Sequence, residues 1–243
     1  VYVVTVTIAA GLLAVVVGGS FLLRARGATF GFPLAVHPDE PAVVERAVEM
    51  VRSGDPNPHF FNYPSMLLYL EAAVVAALRG AEATDGDLPR TDLYLWGRLL
   101  TALMAAGTVM ATAWLAYLLT SARFRGPLAP LAAALLVATS SLHVAHSFLI
   151  TVDVPMTLWV VLAAIMAVRI TRDTPGWGVY VAAAVFVGLA VGTRYTAVLC
   201  AVPVLIAHGV RHTRPGAALA SPKVWVFALL AVLLWLVWRN PNP

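Results

Sequence analysis

The residues of this chain whose types and spacing suit chemistry fall into a few small groups. The first is His37-Pro38-Asp39-Glu40-Pro41, two adjacent carboxylates directly behind a histidine. A carboxylate placed at an apolar boundary can take the proton from a hydroxyl or amine as that group attacks an electrophile. The same two acids also suit a helix start, where they complement the dipole and cap backbone N–H groups. The residues alone leave both readings open. The second group is Arg98, Asp153 and Arg194, each beside an apolar run. Fixed cations stabilise a leaving group that departs with growing negative charge, as a phosphate does. Arginines at such boundaries also snorkel toward water, and Asp153 just ahead of Pro155 suits a first helical turn. His143 and His146 stand three apart and share a face if helical; with a carboxylate they could hold a divalent metal, and otherwise they are polar residues at a boundary. The cluster His59-Phe60-Phe61-Asn62-Tyr63 is either an interfacial aromatic belt or a wall for a lipid-linked substrate.

The elements that must position these residues follow from composition. Of 243 residues, 60% are hydrophobic and 12% are charged, with mean hydropathy +0.84. Soluble domains carry about 25% charged residues, so lipid must be the solvent for much of this chain. Net charge is +4 and pI about 9.6, but the basic residues are scattered between apolar runs. That is the pattern of loop charges that orient spans, not of a nucleic-acid surface. Cys200 is the single cysteine, which excludes an intrachain disulfide.

Seven stretches are apolar enough to span, at about 2–23, 93–120, 128–143, 154–170, 177–193, 196–210 and 224–238. The segment 24–92 differs, holding ten of the twelve acidic residues. Two helices are predicted within it. One, near 41–53, puts Val44, Ala47, Val48 and Val51 on one face and Glu45, Glu49 and Arg52 on another. The other runs from Pro64 to Arg79, with Pro at its start and Gly80 past its end. At ~1.5 Å per residue it reaches about 24 Å, short of the roughly 30 Å hydrocarbon core. Glu71 at its middle would be costly to ionise in lipid. Both features predict an interfacial helix.

With seven spans and a cytoplasmic start, the cytoplasmic loops receive Arg123, Arg125, Arg169, Arg172, Arg211, Arg214 and Lys223, with Asp173 in one of those turns. The short outer loops receive only Arg194, in keeping with the positive-inside rule. Asp39, Arg98, Asp153 and Arg194 then share the outer face. An eight-span arrangement with an external start satisfies the same rule but separates the acidic loop from Asp153.

In chain order the motifs are these: His37-Pro38-Asp39-Glu40, then Arg52-Ser53-Gly54-Asp55 closing the amphipathic helix, then Asn57 to Ser65 opening the interfacial one. Gly97-Arg98-Leu99-Leu100, Thr151-Val152-Asp153-Val154-Pro155 and Gly192-Thr193-Arg194-Tyr195 follow. Together, from about residue 30 to 210, they resemble the polyprenyl-phosphate-dependent glycosyltransferases of the protein O-mannosyltransferase and aminoarabinose transferase type (glycosyltransferase family 39, GT-C fold). The resemblance implies an all-α, polytopic membrane protein, a GT-C-like bundle of about seven transmembrane helices with two interfacial helices in the first external loop, 24–92. It implies transfer of a sugar from a polyprenyl phosphate to a protein, lipid or glycan acceptor outside the cytoplasm, at the plasma membrane. Asp39 would be the catalytic base, with Glu40 its neighbour in the site. Arg194 stands where the family commonly has Lys; it keeps the charge and adds a bidentate fork for phosphate. Arg98, Tyr63 and His59 would complete the donor-phosphate contacts, and Asp153, Tyr195 and His37 would support the site. Where some relatives have a Lys before the interfacial helix, this chain has Phe61-Asn62-Tyr63.

No phosphate-binding loop, dinucleotide fingerprint, Gly-x-Ser-x-Gly elbow or Cys/His zinc spacing is present in the sequence, which suits a donor activated by a lipid phosphate. A single displacement would invert the anomeric configuration. The contrasting classes are a transporter or channel subunit with charges lining a pathway, and a non-catalytic piece of the same fold. The chain begins at Val1 and stops just after an apolar run, so residues 1–243 are expected to be the N-terminal part of a longer membrane domain.

Overall fold

In the computed structural model, which describes residues 2–60, 62–82, 89–120, 126–172, 174–212 and 214–238, every regular element is helical. Phe61, Arg123, Arg125 and Asp173, named above, lie outside these residues. The helices are α1 (Tyr2–Gly27), α2 (Asp39–Ser53), α3 (Met66–Glu82), α4 (Arg90–Leu119), α5 (Leu128–Thr139), α6 (Ser141–Ser147), α7 (Asp153–Arg172) and α8 (Trp177–Thr193). After a 3-10 turn (Tyr195–Cys200) come α9 (Ala201–Arg211), α10 (Pro215–Ala220) and α11 (Pro222–Trp238).

Among the described residues three helices are long and apolar enough to cross a bilayer: Thr7–Gly27 within α1, then α4 and α7. The apolar run at 128–143 is one broken element, α5 and α6 meeting at 59°. Ser140 is extended there (φ −57°, ψ 114°), which stops the helix. The remaining apolar helices, Trp177–Thr193, Tyr195–Arg211 and Pro222–Val237, are shorter. Large apolar side chains such as Leu12, Val15, Leu205, Ile206 and Leu233 point outward. Such a surface suits lipid, not water.

The bundle has three packed regions. α7, α8, α9 and α11 share a core of small and branched residues around Ala163, Ala183, Val187 and Val204. α4 packs on α1, α5 and α7, with Val109, Ala113, Ala134 and Ala138 at the seam with α1 and α5. The third region belongs to the polar loop. α2 lies on α3 and on the first turns of α4, burying Val43, Val44, Ala47 and Met50 against Leu67, Leu68, Val75, Leu93 and Tyr94.

That apolar stripe of α2 is turned about one residue from the expected one. Val43 and Met50 are in the core, whereas Val48 and Val51 are only partly buried. The helix ends as expected at Gly54, whose left-handed φ of 74° lets its N–H return to the Met50 carbonyl. α3 runs three residues past Arg79, taking Gly80 inside the helix. Its 17 residues still rise only about 26 Å at ~1.5 Å each.

Candidate active site at the polar loop

Asp39 opens α2, yet neither it nor Glu40 caps the helix; the N-cap residue is Pro38 and no side-chain cap bond forms. The two carboxylates, adjacent in sequence, point into opposite environments. Asp39 is partly exposed, its backbone N–H donating to His37 Nδ1 at 3.3 Å, with that nitrogen 3.9 Å from its carboxylate. Glu40 is wholly buried. A helix places successive side chains about 100° apart, so the two carboxylates leave α2 in different directions.

Tyr63 lies beside the Asp39 carboxylate, near enough for its hydroxyl to donate to it. Burial, then the Asp39 charge and that contact, push the Tyr63 phenol up to about 12, against a weaker opposing pull from Arg46. The phenol therefore stays protonated, able to donate, across the neutral range. Its ring is held edge-on by Phe60 at 5.0 Å, and the Arg46 guanidinium lies 4.3 Å over the Phe60 ring. Tyr63, expected from the sequence at the donor phosphate, stands beside Asp39.

Glu40 takes a bidentate pair from Arg98, Nε and Nη2 each 2.7 Å from a carboxylate oxygen, plus the Ile150 N–H at 3.1 Å. Arg98 Nη1 donates to the Ala28 and Phe30 carbonyls at 2.8 Å, and its guanidinium lies 4.9 Å from the Phe32 ring centre. Four of the five guanidinium donors are thus engaged, and the side chain has no exposed surface. This departs from the expected roles of Arg98 on phosphate and Glu40 beside the reacting atoms. Two opposite charges taken out of water have to satisfy each other. The pair instead joins the end of α1, the start of α2, α4 and the segment before α7.

Beside it lies Glu71, also buried, with Oε1 lacking a hydrogen-bond partner. Burial first, and the nearby Glu40 charge second, raise its carboxyl to about 8. Gly97 makes room for it: a Cβ at that position would collide with Glu71 Oε2 and the Ile150 side chain. Glu71 therefore faces protein, not the bilayer surface. Its charge says nothing about how α3 lies in the membrane, and only the helix length still speaks for an interfacial position.

Asp153 opens α7, three residues after Ile150, and Arg194 follows the last residue of α8. The structure brings them together, Arg194 Nη1 donating to Asp153 Oδ1. Both side chains keep more than two-fifths of their surface exposed. Ile150 is tied to Glu40 and Asp39 is the next residue along α2. The three residues from Ile150 to Asp153 span at most about 11 Å, so Glu40 ties the start of α2 to the segment that opens α7. Tyr195 is exposed immediately after Arg194.

His59 closes the turn that follows α2. It is exposed and bound to Asp55, with Nε2 3.0 Å from Oδ2. Asp55 N-terminal turns through Asn57 close this short loop: the Asn57 N–H donates to Asp55 Oδ1 and the His59 N–H to Asn57 Oδ1. The Asn57 N–H, followed by His59, holds the Asp55 carboxyl below its usual value.

Among the described residues no group of three His, Cys, Asp or Glu side chains converges on His143 and His146. His143 Nδ1 is 3.0 Å from Nη2 of Arg24, a cation that disfavours a second one beside it. Arg24, fully buried, also donates to Ser20 and to the Val137 and Ala138 carbonyls at 3.3 Å. Those carbonyls sit at the end of α5, where the helix break removes their usual partners. Sequence reasoning did not single out Arg24. The available signal was a break in the third apolar run, at Thr139-Ser140-Ser141, that frees carbonyls for such a donor.

Residues 94–238, more than half of the chain, match the family described as dolichyl-phosphate-mannose-protein mannosyltransferase. The match includes Arg98, Asp153 and Arg194 and stops short of the Asp39 loop. No curated protein and no solved structure shows a significant match.

Proposed function

The chain belongs to the dolichyl-phosphate-mannose-protein mannosyltransferase family, and on that premise we propose that it moves a sugar from a polyprenyl phosphate to an acceptor at the outer face of the plasma membrane. In this reading the acceptor hydroxyl or amine attacks the anomeric carbon. Asp39 takes the proton, the bond from that carbon to the phosphate oxygen breaks, and the configuration inverts. Arg194 meets the phosphate as its charge grows, with Asp153 fixing the guanidinium and Tyr195 beside it. Tyr63 orients Asp39, and His37 supports its backbone.

One observation carries this assignment: of the two adjacent acids, Asp39 alone is open to a ligand, with Tyr63 beside it, whereas Glu40 is wholly buried. Glu40 and Arg98 become the frame of the site and leave the list of reacting groups. The same reading takes seven crossings: α1, α4, α5 with α6, α7, α8, the 3-10 turn with α9, and α11. Arg169, Arg172, Arg211, Arg214 and Lys223 then lie on the cytoplasmic side, Arg194 outside, and α2 and α3 rest at the outer surface.

The test is transfer of labelled sugar from a polyprenyl-phosphate donor by the full-length protein. Asp39→Asn is expected to lower the rate at least about a hundredfold, within the range for loss of a general base. Transfer at the unaltered rate would remove Asp39 from the reaction. Cysteine labelling at positions 55 and 148 from opposite sides of the membrane would separate the loop from Asp153 and defeat the shared site.

A further inference from the structure

A second charged feature lies away from the Asp39 corner. A hollow of about 250 Å³ opens between α2, α3 and the first turns of α4. Its lining includes Arg52 from α2, Arg79 from α3 and Arg90 from the start of α4, with the carboxylate of Glu45 and the apolar Val48 and Leu93. Arg90 Nη1 is 3.7 Å from Glu45 Oε1, and both side chains are largely exposed, so that contact is a weak surface pair. The Arg79 Nε atom is buried with no hydrogen-bond partner. Arg52 lies about 20 Å from Asp39 along α2, at ~1.5 Å per residue.

We propose that this hollow is a binding site for a phosphate oxyanion, gripped by Arg52, Arg79 and Arg90. Three arginines from three helices line a space large enough for such a group, and Glu45 is the one carboxylate among its described lining residues. Their forked N–H donors match phosphate oxygens bidentately, which lysine does not. A phosphate here would also give the buried Arg79 Nε a partner. An orphaned buried donor is costly, and an oxyanion satisfies it. The phosphate could belong to a soluble phosphorylated molecule or to an anionic phospholipid headgroup; the chemistry of the grip is the same. The site is independent of the sugar transfer proposed above.

The test measures phenylglyoxal modification of each arginine in the full-length protein in neutral detergent, read by peptide mass spectrometry. Inorganic phosphate at about twice its Kd is expected to slow modification of Arg52, Arg79 and Arg90 about threefold by mass action, relative to chloride at equal ionic strength. Arg26 and Arg214, exposed elsewhere, should react at unchanged rates. Arg79→Lys with Arg90→Lys keeps the charge but is expected to abolish protection of Arg52. In nanodiscs without added phosphate, protection by phosphatidylglycerol and not by phosphatidylcholine identifies a headgroup as the source. Protection by soluble phosphate alone identifies a soluble ligand. Equal slowing at all arginines, or none, overturns the proposal.

Discussion

Glu40 and Arg98 form a closed bidentate pair with no surface exposed on either side chain, and the Ile150 N–H completes the shell of the carboxylate. The pair lies where the polar loop meets the helical bundle, so it couples the orientation of α2 to that of α4. Since Asp39 is the next residue to Glu40, anything that loosens the pair also moves the carboxylate proposed to act as base.

Arg98→Leu is expected to strand the Glu40 charge in the interior and cost about 3–5 kcal/mol of stability. Glu40→Leu combined with Arg98→Leu should be milder than Arg98→Leu alone, because no unpaired charge remains, although Ile150, Ala28 and Phe30 lose partners. Thermal unfolding in detergent measures both. A double variant as unstable as the sum of its single changes would show that the two side chains are not coupled.

Tyr63→Phe separates the two roles for this tyrosine. A hydrogen bond to a charged group contributes about 1.5–3 kcal/mol, so losing the bond to Asp39 should lower kcat about tenfold or more. The donor KM should change little if Tyr63 acts on Asp39. A raised donor KM with kcat unchanged would return Tyr63 to the phosphate contact expected from sequence.

Much of this organisation was legible in the order of apolar runs and polar breaks. The acidic segment 24–92, the helix ending at Gly54 and the position of Asp153 and Arg194 beside their helices all followed from local pattern. Pairing across the fold did not. Glu40 and Arg98 are far apart in sequence, and nothing near either shows that each is buried by the other. Glu71 read as a charge to be kept out of lipid, because its neighbours Gly97 and Ile150 come from elements that periodicity cannot bring together. The stripe of α2 was misplaced by one residue since valines at 43, 44, 48 and 51 satisfy two neighbouring helical faces. Which face wins is decided by α3 and Tyr94.

Glu71 makes stability depend on pH in a direction opposite to that of an ordinary salt-bridged acid. Its folded carboxyl is raised to about 8 from 4.5, chiefly by burial. The folded state therefore holds a proton that the unfolded chain releases above about 4.5. This contribution is fully present below about pH 4.5 and is lost progressively as pH rises toward 8. Glu71→Gln, neutral at every pH, should remove that slope and unfold at a higher temperature than the unaltered protein near pH 8. The unfolding midpoint at several pH values between 5 and 8 checks it; parallel curves for the two proteins would show that Glu71 is not held protonated.

Arg194 and Asp153 form a pair whose structural and functional contributions are expected to diverge. Both side chains are solvent-exposed, and exposed ion pairs contribute about 0–1 kcal/mol, so Arg194→Ala should leave the unfolding midpoint nearly unchanged. The same change removes the cation proposed to meet the departing phosphate, where the loss of one stabilising group costs about 10²–10³ in kcat. Arg194→Lys restores charge without the fork and should recover part of that rate. Asp153→Asn tests the remaining element, since it keeps the shape while weakening the grip on the guanidinium; it should lower the rate less than Arg194→Ala does. Sugar transfer and unfolding measured on the same preparations settle the matter. A fall in stability equal to the fall in rate would make the pair a structural clasp, whereas full activity of Arg194→Ala would leave the phosphate to another cation.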